Sequence, residues 1–118
     1  MVTILRGKDS PYQLVQEGKN KKIINHFKLH LKNQTFEDAL LQLKVSDQWK
    51  SDQIEIISQK KDIKILAGKD ITVHFFLKFQ EELIKGTGVK SIEINFIDLE
   101  TNDIKSTRII KLIGPMST

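Results

Sequence analysis

The sequence predicts an all-β fold, an antiparallel sandwich of seven or eight short strands in two sheets. Three observations predict it. Apolar and polar side chains alternate with a period of two along most of the chain, as in strands with one face on a core and one in water. Turn-forming clusters recur at short intervals. No helical stretch is long enough to act as the crossover that parallel strands need.

The elements follow in order. Val2 to Leu5 makes a short first strand. Asp9-Ser10-Pro11-Tyr12 is turn-forming, and Leu14 and Val15 continue an edge strand. Lys19-Asn20-Lys21-Lys22 is a polar turn. From Ile23 to Lys32, one face carries Asn25, Phe27, Leu29 and Leu31. The other carries Ile24, His26, Lys28, His30 and Lys32. Asn33-Gln34-Thr35 closes this strand as a turn. A third strand alternates Ala39, Leu41, Leu43 and Val45 with Leu40, Gln42 and Lys44. A helix from Phe36 through Leu40 and Leu43 competes with it, and the flanking strands favour the strand. Trp49, in a polar loop, is placed to lid one end of the core. Ile54, Ile56 and Ile57 make one short strand, and Ile63 and Ile65 another.

Ala67-Gly68-Lys69-Asp70 is a tight turn. The strongest pattern comes next, with Ile71, Val73, Phe75, Leu77 and Phe79 against Thr72, His74, Phe76 and Lys78. Glu81 to Gly86 reads as one helical turn ended by glycine. Ile92, Ile94 and Phe96 alternate with Glu93, Asn95 and Ile97, and Glu100-Thr101-Asn102-Asp103 is a hairpin turn. The last strand, Ile104 to Ile113, doubles its apolar residues at Ile109-Ile110 and Leu112-Ile113. That doubling suits burial on both faces or a bulge. With no repeat or linker, residues 1–118 read as one domain.

Composition excludes several kinds of chemistry. The chain has no cysteine, which removes thiol redox chemistry, cysteine nucleophiles and cysteine-ligated clusters. No apolar run approaches the roughly 18–20 residues of a membrane helix. The net charge of +4 raises the prospect of a polyanionic partner. Only Arg6 and Arg108 are arginines, however, and the lysines are interleaved with acids. Solvated lysine faces are therefore expected, with no nucleic acid partner.

The candidate sites are few. His26 and His30 share a face but lie about 13 Å apart by strand rise, too far to share one metal ion. His74 is the outward histidine of another strand. Suitable pairing would bring it to one of the other two, as a two-histidine surface site for copper or zinc. Exposed polar positions are the competing and preferred reading, so no metal or cofactor is expected. Asp98, Glu100 and Asp103 surround a turn without the spacing of a calcium loop. Asn33-Gln34-Thr35 has the form of a glycosylation acceptor but is accounted for as a turn. No serine sits in a nucleophile elbow, and Gly86-Thr87-Gly88 is too short to cradle phosphate. The expectation is a chain without catalysis. Ile24, Phe76 and Ile97 are apolar at outward positions and are candidates for a protein-binding patch.

Several stretches resemble the C-terminal immunoglobulin-like domain of the FixG/CcoG family, the cytochrome oxidase accessory proteins of bacteria. Residues Val2 to Tyr12 are similar to that family's opening segment, and Ile24 to Thr35 to its first long strand and turn. Leu66-Ala67-Gly68-Lys69-Asp70, Leu83-Ile84-Lys85-Gly86, Ile92 to Phe96 and Gly114-Pro115 follow in the family's order. Ser10 stands where the family has asparagine, and Ser46 to Lys61 has no counterpart.

The resemblance implies an immunoglobulin-like antiparallel β-sandwich, cut from the C-terminal end of a larger membrane protein. It implies a place on the periplasmic side of the bacterial inner membrane. It further implies an accessory role in cbb-type oxidase assembly and copper or redox handling. The iron–sulfur clusters would belong to the parent alone. The partner would be another protein or the parent's own membrane part. Two other readings remain open: a copper-binding module built on the histidines, and a stand-alone adhesion-type sandwich.

Overall fold

The computed structural model describes residues 2–7, 11–46, 54–58 and 62–115. Nine strands lie among them: β1 (Val2–Arg6), β2 (Gln13–Glu17), β3 (Asn20–Lys32), β4 (Ala39–Val45), β5 (Ile54–Ser58), β6 (Asp62–Ile65), β7 (Asp70–Gln80), β8 (Val89–Asp98) and β9 (Ile104–Ile113). A single 3₁₀ turn, Glu81–Ile84, follows β7. The expected lid residue Trp49 and the turn at Asp9-Ser10 fall outside the described residues.

The strands form two antiparallel sheets. One has the order β1-β3-β7-β5, with β2 also pairing β3, and the other has the order β6-β4-β8-β9. β1 pairs with Phe27 to Leu31 of β3, and β2 pairs with Asn20 to Ile24, so the two share one edge of β3 in succession. Taking β1 and β2 as a split first strand, this is the four-on-three arrangement of an immunoglobulin sandwich, with β6 added at an edge.

Alternation builds the core. β3 buries Ile23, Asn25, Phe27, Leu29 and Leu31, and β7 buries Val73, Phe75, Leu77 and Phe79. The two strands pair over eleven residues, from Lys22↔Gln80 to Lys32↔Asp70. Phe27 and Phe75 stack as register partners at 5.3 Å. Ile92, Ile94 and Phe96 of β8 and Ile110 and Leu112 of β9 face them from the other sheet. Burying each such side chain contributes about 1.5–3 kcal/mol.

Two polar side chains cross between layers. The amide of Asn25, fully buried, donates to the Ile113 carbonyl at 2.9 Å and accepts from the Ile113 N–H at 2.8 Å. Asn25 thereby completes the pairing of a β9 residue in the opposite sheet. Arg6 lies over the Phe27 ring at 5.1 Å and donates to the Lys111 carbonyl. Burial lowers the pKa of Arg6 from its ordinary value, a shift that leaves a guanidinium charged at physiological pH.

Two expectations need correction, and the choice between strand and helix after Phe36 falls to the favoured strand, β4. The polar turn lies at Gly18-Lys19 rather than Lys19–Lys22, because Glu17 already pairs with Asn20. Gly18 supplies the positive φ (59°) that this two-residue loop needs. The doubled apolar residues of β9 do not mark two buried faces, and the bulge that β9 carries lies earlier in the strand, at Lys105. β9 is an edge strand, with Ile110 buried and Ile109 69% exposed, and its Lys105 is the extra residue opposite Phe96 and Ile97, which pair with Ser106 and Ile104. Residues 36–38 form no helix, and Phe36 is fully exposed ahead of β4.

Candidate functional site

Register decides which histidines meet. On the outer face of the five-stranded sheet, His26 lies opposite Phe76, Lys28 opposite His74, and His30 opposite Thr72. His26 and His74 are therefore diagonal neighbours, a relation within reach of aromatic side chains. Their facing nitrogens, Nε2 of His26 and Nδ1 of His74, are 2.8 Å apart.

The His26 ring is held on two further sides. It stacks on Phe76, with ring centres 4.6 Å apart and planes inclined by 20°. The Gly7 amide donates to the His26 carbonyl at 3.0 Å, which continues the β1–β3 pairing. A Cβ on Gly7 would stand 2.2 Å from His26 Nδ1, so the ring fills the space where a side chain at position 7 would be. Glycine is needed here for room.

The third histidine stands elsewhere. His30 Nδ1 is 3.1 Å from the Thr72 hydroxyl, and its Nε2 is 3.4 Å from Asp70. The structure thus joins His26 with His74 and leaves out His30. No group of three or more His, Cys, Asp or Glu able to hold a metal occurs among the described residues.

The other candidates resolve into structural roles. Asp98 accepts from the Glu100 amide at 2.8 Å and lies 3.9 Å from the Lys105 ammonium, so its carboxylate shapes the β8–β9 turn. Asn33 is buried and donates to the carbonyls of Glu37 (2.8 Å) and Ile65 (3.0 Å). Its oxygen accepts from the Thr35 hydroxyl and amide. The triplet therefore works as a strap for the β3–β4 loop. Glu17 pairs with Lys22 and Lys78.

The three apolar candidates divide. Ile24 and Phe76, both half-buried, share the outer face of the five-stranded sheet, with Ile57 and Leu5 on the same face. Ile97 lies on the outer face of the other sheet, in register with Gln42 and Ile104. They do not make one patch. A third apolar feature had no sequence signal of its own. At the end of the sandwich where β1 begins, an open hollow of about 520 Å³ is lined by Val2, Leu31, Leu41 and Ile65, with Phe36 and Lys105 also in its wall. At the opposite end, Lys19, Lys21 and Lys85 share a smaller hollow with Glu81 and Glu82, so the lysines are not alone there.

Comparison with known proteins bears on the whole chain. The family described as "IG-like fold at C-terminal of FixG", a protein given there as a candidate oxidoreductase, matches residues 1–115. Among solved structures, the chain is similar to a FixG-related protein from Vibrio parahaemolyticus. That likeness has 14% sequence identity, a TM-score of 0.71, and covers 97% of this chain and 94% of the other. At that identity it speaks to the fold. No curated protein matches the chain.

Proposed function

We propose a non-catalytic docking role for this chain, which belongs to the family of immunoglobulin-like domains at the C-terminus of FixG. In this reading it is an accessory domain held on the periplasmic side of the bacterial inner membrane by a FixG-like parent. The parent acts in cbb-type oxidase assembly and copper or redox handling, and its iron–sulfur clusters do the electron chemistry. The domain contributes contacts.

One observation carries the docking role. Phe36 is fully exposed at the rim of the 520 Å³ hollow, at the end of the sandwich where β1 starts. In a C-terminal domain of FixG, the parent chain arrives at Val2, in the wall of the same hollow. An exposed aromatic beside an open recess of mixed apolar and charged lining marks a contact surface. The occupant we assign is the part of the parent that leads into β1. Covering the Phe36 side chain would contribute about 1.5–3 kcal/mol. The structural roles of Asp98 in a turn, Asn33 in a strap and His30 beside Thr72 support a role without catalysis.

A photo-crosslinking residue placed at Phe36 of the intact parent tests this. Crosslinks from Phe36 to the parent's own preceding part are expected, with little from positions 24, 76 or 97. If position 36 crosslinks to nothing while one of those three does, the docking end is wrongly assigned.

A further inference from the structure

We propose that His26 and His74 form a two-point chelate for copper(II) on the outer face of the five-stranded sheet. The site is independent of the docking end. It rests on the closeness of two imidazole nitrogens and on the packing that holds the His26 ring.

The facing nitrogens of His26 and His74 are 2.8 Å apart as a hydrogen-bonded pair. His74 is exposed, so its ring can turn until both lone pairs meet at one ion. Imidazole affinity peaks at copper(II) among the divalent first-row metals.

The pair is built into the fold. β3 and β7 are the central strands of the sheet, and their unbroken register sets the two Cα positions. The ring of His26 stacks on Phe76 and occupies the space above Gly7. His74 is exposed and His26 half-buried, so an ion can arrive from solvent. Water completes its coordination, since no third protein donor group is assembled among the described residues. Lys28, opposite His74, places a positive charge nearby that opposes any cation, so the imidazole bonds must outweigh it.

The proton count is simple. In the free protein one imidazole N–H donates to the other ring. When copper binds, His26 carries its proton on Nδ1 and presents the Nε2 lone pair. His74 carries its proton on Nε2 and presents Nδ1. The hydrogen bond between the rings is exchanged for two metal–nitrogen bonds.

Copper(II) titration of the 118-residue chain at neutral pH, read by electron paramagnetic resonance, is the test. Expected is one saturable equivalent of tetragonal copper with coupling to two imidazole nitrogens. His74→Gln and His26→Gln should each weaken binding about a hundredfold, because the second imidazole binds intramolecularly. His30→Gln should bind as the parent chain does. Circular dichroism confirms that each variant is folded, and His74, being exposed, is the secure one. Unchanged affinity in folded His74→Gln overturns the proposal, as does copper binding lost equally in His30→Gln.

Discussion

Replacing Asn25 with alanine removes both side-chain bonds that tie β3 to Ile113. The buried amide satisfies a backbone donor and a backbone acceptor of the opposite sheet, at 2.8 and 2.9 Å. Without it the Ile113 N–H and C=O lose their partner, and each half-buried orphan costs about 1–3 kcal/mol. A small void adds to this, so the expected loss is about 3 kcal/mol. A domain of this size has about 5–15 kcal/mol to lose. Urea unfolding at neutral pH should show a lower midpoint with an unchanged slope. Asn25→Asp sharpens the test. Its protonated carboxyl can still donate to the Ile113 carbonyl, whereas the carboxylate is buried beside that oxygen. Burial raises the folded-state pKa of the new acid above its unfolded value. Its stabilising, protonated form is then present below the unfolded pKa and is lost as pH rises through the folded one. Asn25→Asp should be near normal at mildly acidic pH and weak at neutral pH. A loss below about 1 kcal/mol in Asn25→Ala, with Asn25→Asp indifferent to pH, would refute the idea of an inter-sheet clamp.

Two further outcomes follow from the same geometry. Gly7→Ala puts a methyl where the His26 ring lies and should cost about 1–3 kcal/mol; in a His26→Ala background most of that cost should vanish, as a double-mutant cycle will show. Arg6→Ala removes the guanidinium over Phe27 and its bond to Lys111, and should cost about 1–2 kcal/mol in thermal or urea unfolding, with a value near zero arguing against a link between β1 and β9.

Much of the fold was legible because period-two alternation survives wherever one face is buried. β3, β7 and β8 bury the residues their patterns indicate. β2 left a fainter trace, since Leu14 is 60% exposed and Val15 is its one apolar residue with partial cover. β9 misled because it is an edge strand, where an isoleucine can stand in solvent beside a buried one. The two-histidine site was legible only as a choice. Whether His74 meets His26 or His30 depends on the register between strands some forty residues apart, which tertiary packing sets. Asn25 carried a signal that went unused: a polar residue in the buried register of β3 needs buried partners. Gly7 carried none, since its need for space arises from a ring nineteen positions later in the chain. Nor did Phe36, whose exposure depends on the Asn33 strap that forms the loop around it.

The docking role is tested most directly by hydrogen exchange of this domain alone and within an intact FixG-like parent. The account predicts added protection at the start of β1, the 33–39 loop and the β8–β9 turn, around the hollow that Phe36 rims. Equal exchange in both settings, or protection confined to the opposite end near the Glu81–Ile84 turn, would contradict it.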